Sequence, residues 1–246
     1  MVDRRRNIMR MLLILVIIIV AVYIAMQSSL FQIKTVEVSG TRVVSEEEVL
    51  MMADVPEDAN IFRFNLSVLS KSISLHPLIR SVDIKRKLPG TLRIIITERG
   101  VWAVIPYQDS YLFIDEEGVL LDQRLDADLN ILPLLTLSGF PDYVVRGHVV
   151  NQSAAELAHQ LWINLSENER EEISNYHYDV SSGELSLYTI RGMEMRFGDA
   201  ERMEEKLIEL REMIALEKEM LEAGTDAIEY ADIRFKGQPV IKFVSD

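Results

Sequence analysis

The chain has 246 residues, no cysteine and a formal net charge of −13. That length suits one or two ordinary domains, the missing cysteine excludes disulfides, thiolate metal sites and a cysteine nucleophile, and the acidic balance disfavours nucleic acid as a partner. The charge is unevenly placed, because residues 1–33 sum to +3 and the other 213 residues to −16.

After Arg10 no charged residue occurs until Lys34, and residues 11–26 contain no strongly polar side chain. As a helix, 23 such residues would rise about 35 Å, enough for a hydrocarbon core about 30 Å thick. The run is longer than the apolar part of a cleaved signal peptide, and no Ala-x-Ala site follows it. An uncleaved anchor is therefore expected over 11–31. The positive-inside rule puts residues 1–10, with Arg4, Arg5, Arg6 and Arg10, in the cytoplasm as a short tail. The acidic remainder and the C-terminus then lie outside the membrane.

Beyond the anchor, residues 32–39 alternate as a half-buried strand through Ile33, Val36 and Val38, and Gly40 supplies a turn. Ser45-Glu-Glu-Glu48 has the form of a capping box, in which Ser45 caps the Glu48 N–H and Glu48 reaches back, opening a helix over 45–53. Asn65 opens a second helix along Leu66, Leu69 and Ile73, stopped by His76-Pro77. Residues 79–88 and 91–99 form a hairpin around Pro89-Gly90, with Leu92, Ile94 and Ile96 on one face. The expectation for 32–99 is one strand–helix–helix–strand–strand layer.

From residue 100 the pattern is mainly antiparallel β with two helices. Strands are expected at 101–105, 110–114, 119–121, 176–180, 184–190, 193–197, 227–235 and 239–244. Residues 122–150 look irregular. One helix is expected at 153–165 and a longer one at 199–223, striped by Met203, Leu207, Leu210, Ile214 and Leu221. Asp199 and Glu201 suit its positive end, whereas Glu217, Glu219 and Glu222 near the other end are unexplained by helix stability. The fold class is thus α+β, with a boundary at about residue 99.

Catalytic signatures are missing. His76, His148, His159 and His177 have no metal-ligand spacing, and the sequence holds no Gly-x-Ser-x-Gly, Gly-x-Gly-x-x-Gly or phosphate-binding loop. No catalytic, metal or cofactor residue is therefore assigned. Asp115, Glu116 and Glu117 resemble a glycosidase-type carboxylate group, but Gly118 beside them favours a turn. Glu98 and Arg99 could pair or bridge domains. Lys85, Arg86 and Lys87 fit either headgroup contact or a solvated hairpin. Pro239 suits a sheet edge, because it cannot donate a ladder bond. The following strand either completes the sheet or offers an open edge to an incoming strand, with Ile241 and Phe243 on one of its faces.

Several runs together resemble one known family. Phe31-x-Ile-Lys-Thr-Val-Glu-Val-x-Gly40, Asn60-Ile-Phe62, the segment from His76 to Arg86 and the run Leu88-Pro-Gly-Thr-Leu-Arg-Ile-Ile-Ile-Thr-Glu-Arg99 resemble the POTRA domain of the bacterial cell-division family FtsQ/DivIB. Phe113-Ile-Asp-Glu-Glu-Gly118, Leu132-Pro-Leu-Leu135, Met195-Arg-Phe-Gly198 and Tyr230-Ala-Asp-Ile-Arg-Phe235 resemble its C-terminal β-domain. The resemblance implies a POTRA domain at 32–99 and a β-domain at 100–246 ending in a partner-binding strand. It implies a non-enzymatic scaffold in the cytoplasmic membrane at the division septum. The implied partners are bitopic FtsB/DivIC-like and FtsL-like proteins, other divisome proteins and septal cell-wall synthesis proteins. The implied contact residues are Phe235, Gly237, Ile241 and Phe243. Two rival classes are a membrane-anchored enzyme acting on peptidoglycan and a POTRA-containing envelope assembly factor.

Overall fold

The computed structural model describes residues 2–129, 131–141, 143–224 and 227–244, with side chains from Arg6 onward. The side chains of Arg4 and Arg5 lie outside the described residues. The chain divides into two compact units, Met1–Glu98 and Arg99–Asp246.

The first unit opens with helix α1, Val2–Met26. It begins within the arginine segment and ends at Met26, so the helix is offset from the 11–31 span expected from charge alone. Its portion Arg6–Met26 is long and apolar enough to cross a membrane. At 21 residues it rises about 31 Å. Every side chain from Arg6 to Ala25 is exposed, which a soluble helix with this many branched aliphatics would not tolerate.

A 3-10 turn at Ser29–Phe31 leads to β1, Thr35–Ser39. Helices α2 (Glu46–Ala53) and α3 (Leu66–Ser74) follow, then β2 (Ile79–Lys87) and β3 (Thr91–Glu98). The sheet order is β1-β3-β2, with β1 parallel to β3 and β2 antiparallel to it. Leu92, Ile94 and Ile96 of β3 are buried with Val49, Ala53, Leu69 and Ile73 of the helices. The alternating strand face is therefore the one the helices cover. Ser45 Oγ accepts the Glu48 N–H at 3.1 Å, and Asn65 Oδ1 accepts those of Ser67 and Val68. The reciprocal half of the capping box is not formed. The Glu48 carboxylate instead lies 3.3 Å from His76 Nε2.

The second unit contains two sheets. Strands β4 (Ala103–Tyr107), β5 (Ser110–Ile114) and β6 (Leu120–Arg124) form an antiparallel meander. A strand that the Leu132-Pro-Leu-Leu135 region did not advertise, β7 (Leu135–Leu137), follows. Helix α4 (Gln152–Ile163) and a short α5 (Glu167–Glu171) come next. Strands β8 (Ile173–Asp179), β9 (Glu184–Thr189) and β10 (Glu194–Gly198) precede helix α6 (Met203–Ala223). Strands β11 (Ile228–Asp232) and β12 (Val240–Phe243) end the described fold.

The larger sheet has the order β12-β11-β10-β9-β8-β7. It is mainly antiparallel, as expected, with two parallel pairings, β7 with β8 and β10 with β11. Each parallel pair is joined through helices, the connection that parallel strands require. Its core face carries Tyr176, Tyr178, Leu185, Leu187, Met195, Phe197 and Ala231, in one cluster with residues of α4 and α6.

The buried face of α6 differs from the expected stripe. Lys206 and Glu217 are buried, and Leu221 is 62% exposed. Lys206 Nζ donates to the Asp199 carboxylate and carbonyl at 3.0 Å, and Glu217 Oε1 accepts the Thr189 hydroxyl at 2.7 Å while its other oxygen lies 3.7 Å from Arg191. Glu217 thus has a structural role at the β9–β10 turn.

Glu98 and Arg99 each have partners within their own unit. The Glu98 carboxylate accepts the backbone N–H groups of Arg42, Val43 and Val44 at 2.9–3.1 Å, tying the loop after β1 to the end of β3. Burial alone would raise this carboxyl, but those three N–H groups outweigh it and hold it below its ordinary value. A lowered folded-state value means stabilisation that is full above the ordinary carboxyl value and is lost as pH falls through the lowered one. Glu98→Gln should therefore lower the thermal midpoint of the full chain in detergent at pH 7 by the equivalent of about 1 kcal/mol after solvent screening. Circular dichroism melts should show that difference shrinking as the pH falls below the Glu98 value.

Candidate functional site

A sheet edge becomes a binding site when its outward N–H and C=O groups have no partner. Two strand edges in the second unit, those of β4 and β6, are bonded to neighbouring chain. Val104 of β4 bridges Leu134 beside β7, and its N–H donates to Pro133 O at 3.0 Å. On β6, Leu120 exchanges bonds with His148 O and Gly147 N, at 2.9 and 2.8 Å. β12 pairs with β11 on one side and, among the described residues, has nothing on the other.

The register of β12 sets which groups are free. Val240, Ile241 and Lys242 stand opposite Asp232, Ala231 and Tyr230, and Phe243 opposite Ile228. The Val244 N–H donates inward to Ala227 O at 2.9 Å. By antiparallel alternation the main-chain groups of Val240 and Lys242 also face β11, and those of Ile241 and Phe243 face outward.

The two side-chain faces differ. Ile241 is half-buried against the main core, and Phe243, on the same face, is 42% exposed. On the opposite face Val240 and Val244 are exposed on either side of Lys242, which pairs with Glu229 at 2.6 Å. Alternation in the sequence separated the two faces. It missed Val240 and Val244 as exposed apolar groups, because it did not reveal which face the helices would cover.

The turn before β12 is fixed at its base and projecting at its tip. Arg202 Nη2 donates to the carbonyls of Ile233 and Arg234, and the Ile233 N–H donates to Arg196 O. Arg234 pairs with Asp232 at 2.6 Å and Glu184 at 2.8 Å, and these carboxylates raise its guanidinium above the ordinary value. Burial would raise Asp232, but the Arg234 bonds outweigh it and hold the carboxyl low. Phe235 extends beyond this clamp, 69% exposed, with the Arg234 guanidinium 5.3 Å from its ring centre. Gly237 has φ +130, a conformation that favours glycine, with open space around it. Phe235, Gly237, Ile241 and Phe243 thus belong to one hairpin, with Ile241 the most enclosed of the side chains.

The other candidate chemistry is structural. Asp115 is fully buried, accepts the N–H groups of Glu117 and Val119 and contacts Arg99, whose guanidinium also pairs with Glu117 at 2.6 Å. These carboxylates hold the β5–β6 turn rather than facing a cleft. Among the described residues no group of three or more potential metal ligands occurs.

Two family models cover most of this architecture. The model for the POTRA domain, FtsQ-type, matches residues 31–99, and the model for the cell division protein FtsQ/DivIB, C-terminal, matches residues 103–234. A cell division protein DivIB from Clostridium tetani is 26% identical over 217 residues, covering 86% of this chain and 79% of that relative. A cell division protein FtsQ from Geobacter sp. is 27% identical over 223 residues, covering 89% and 78%.

The clamp predicts a local effect. Arg234→Ala should leave the far strands β7–β9 unchanged and speed amide exchange at residues 240–244 by roughly fivefold, the order expected for exposed charge pairs after screening. Hydrogen-exchange mass spectrometry of the full chain checks it.

Proposed function

The chain belongs to the bacterial FtsQ/DivIB family, and from that premise we propose that it captures an FtsB/DivIC-like bitopic partner by strand addition to β12. Family membership makes it a single-pass membrane protein and a non-enzymatic scaffold of the division machinery. The finer assignments are the proposal. Residues 1–10 face the cytoplasm, the POTRA domain (32–99) and β-domain (100–246) lie outside, and the protein acts at the division septum. An FtsL-like protein is a further partner outside the membrane, and the assembly helps recruit and regulate septal peptidoglycan synthesis.

The observation that carries this proposal is the outer edge of β12, unpaired among the described residues, in a unit where the edges of β4 and β6 are bonded to neighbouring chain. In strand addition, main-chain bonds supply affinity and alternate side chains supply specificity. Here Ile241 and Phe243 offer the outward main-chain groups, with Val240 and Val244 adding an exposed apolar face. Phe235 at the turn is a large exposed aromatic, the kind of side chain that anchors interfaces. Gly237 sets the path of the turn. The exposed Glu219 and Glu222 of α6 give the β-domain an acidic face suited to a basic partner segment.

Phe243→Glu is the cleaner test, since a charge at the half-buried Ile241 would also disturb the core. The variant should keep the wild-type circular dichroism spectrum and bind a purified exterior segment of an FtsB/DivIC-type protein at least tenfold more weakly, a loss of about 1.4 kcal/mol. Unchanged affinity in calorimetric titration would remove β12 as the site.

A further inference from the structure

Where the chain leaves α1, several bonds tie the first unit to the end of the span. Asn60 Nδ2 donates to Met26 O at 2.8 Å, while Asn60 Oδ1 accepts the Phe62 N–H at 3.0 Å. The Ile33 N–H donates to Ala59 O and the Ile61 N–H to Phe31 O, both at 2.8 Å. The rings of Phe31 and Phe62 meet with centres 5.1 Å apart. The β2–β3 turn joins the same cluster, because Gly90 O accepts the Lys34 N–H at 2.8 Å. That approach needs glycine, since a Cβ on Gly90 would lie 2.3 Å from Gln32 O.

Three segments therefore gather at the end of the membrane helix, around residues 30–34, 60–63 and 88–90. They expose a mixed surface. Leu30 is 57% exposed and Leu88 56%. Lys34 and Arg63 are exposed and make no ion pair or side-chain hydrogen bond among the described residues. The nearby basic run is already engaged: Lys85 pairs with Asp83, Lys87 with Glu37, and Arg86 donates to Ile61 O and Phe64 O. In a chain whose residues 34–246 sum to −16, two free cations beside two exposed leucines at the end of a span are selective for one environment.

We propose that this end of the first unit is an anionic-lipid-binding surface, with Leu30 and Leu88 at the membrane interface and Lys34 and Arg63 on lipid phosphates. Continuity with α1 fixes the occupant, because a surface bonded to the last turn of a spanning helix lies at headgroup depth. Apolar contact and the attraction of cations to anionic lipid then act together. The unit would stand on the bilayer by its β2–β3 turn. The other end of β2 lies about 26 Å away along the strand, and Leu75, 84% exposed, sits beyond it in water.

The absence of native cysteine permits a direct test on the full chain reconstituted in phosphatidylcholine/phosphatidylglycerol vesicles. Nitroxide labels are placed singly at Leu88→Cys, Leu75→Cys and, within the span, Val16→Cys. The proposal rests on α1 spanning the bilayer, and the label at position 16 reports that insertion separately. With position 16 shielded, the label at 88 should be at least threefold less accessible to a water-soluble nickel chelate than the label at 75. Adding Lys34→Glu and Arg63→Glu, or omitting phosphatidylglycerol, should raise the accessibility at 88 towards that at 75. Equal accessibility at 88 and 75 in anionic vesicles would overturn the surface. Shielding at 88 indifferent to both lipid charge and the charge reversals would overturn the role of anionic lipid.

Discussion

Main-chain hydrogen bonding must be satisfied on both sides of every interior strand, and this one constraint organises the second unit. Covering segments are bonded to β4 and β6. The outer edge of β12 has no such partner among the described residues. An unpaired strand in water is tolerable, but it is also a standing template for another chain. The surrounding residues keep that template in shape. Arg202 and Arg234 hold the base of the turn, and Ile241 fastens the strand to the core. The β10–α6–β11 crossover contributes as well, because it delivers the last hairpin to one margin of the sheet rather than its middle.

Buried charge serves architecture throughout the molecule. Asp115 with Arg99, Lys206 with Asp199, and Glu217 with Thr189 each fasten a turn or a helix end. A buried charge without such partners would cost several kcal/mol. These residue types also occur in active sites, and in isolation they invite a catalytic interpretation. Their hydrogen bonds tie them to turns and helix ends rather than to an open cleft.

The first unit shows how much of a fold is written locally. Ser45 and Asn65 cap the helices that their positions promise, and the alternation of Leu92, Ile94 and Ile96 is the buried face of β3. Such signals are short-range: a cap needs three residues and a strand face needs a period of two. Legibility falls where the decisive contact is distant. The three residues of β7 are too few for alternation, and they become a strand only because β8 and the 133–134 bridge to β4 lie beside them. In α6 the periodic stripe predicted Leu221 inside, yet Glu217 takes the buried place because Thr189 and the Met193 N–H meet it there.

The sequence by itself determined the membrane anchor, the order of most strands and helices, the family and the lack of a catalytic signature. Those follow from apolar length, periodicity, capping chemistry and motif spacing, all properties of neighbouring residues. The tertiary structure alone decided which edge stays open, which face of β12 packs inward, and where each charge near the hairpins is spent. These depend on pairing between segments tens of residues apart. Alternation shows that Ile241 and Phe243 share a face, but only the placement of β12 against β11 and the core makes Ile241 an anchor and leaves Phe243 partly exposed.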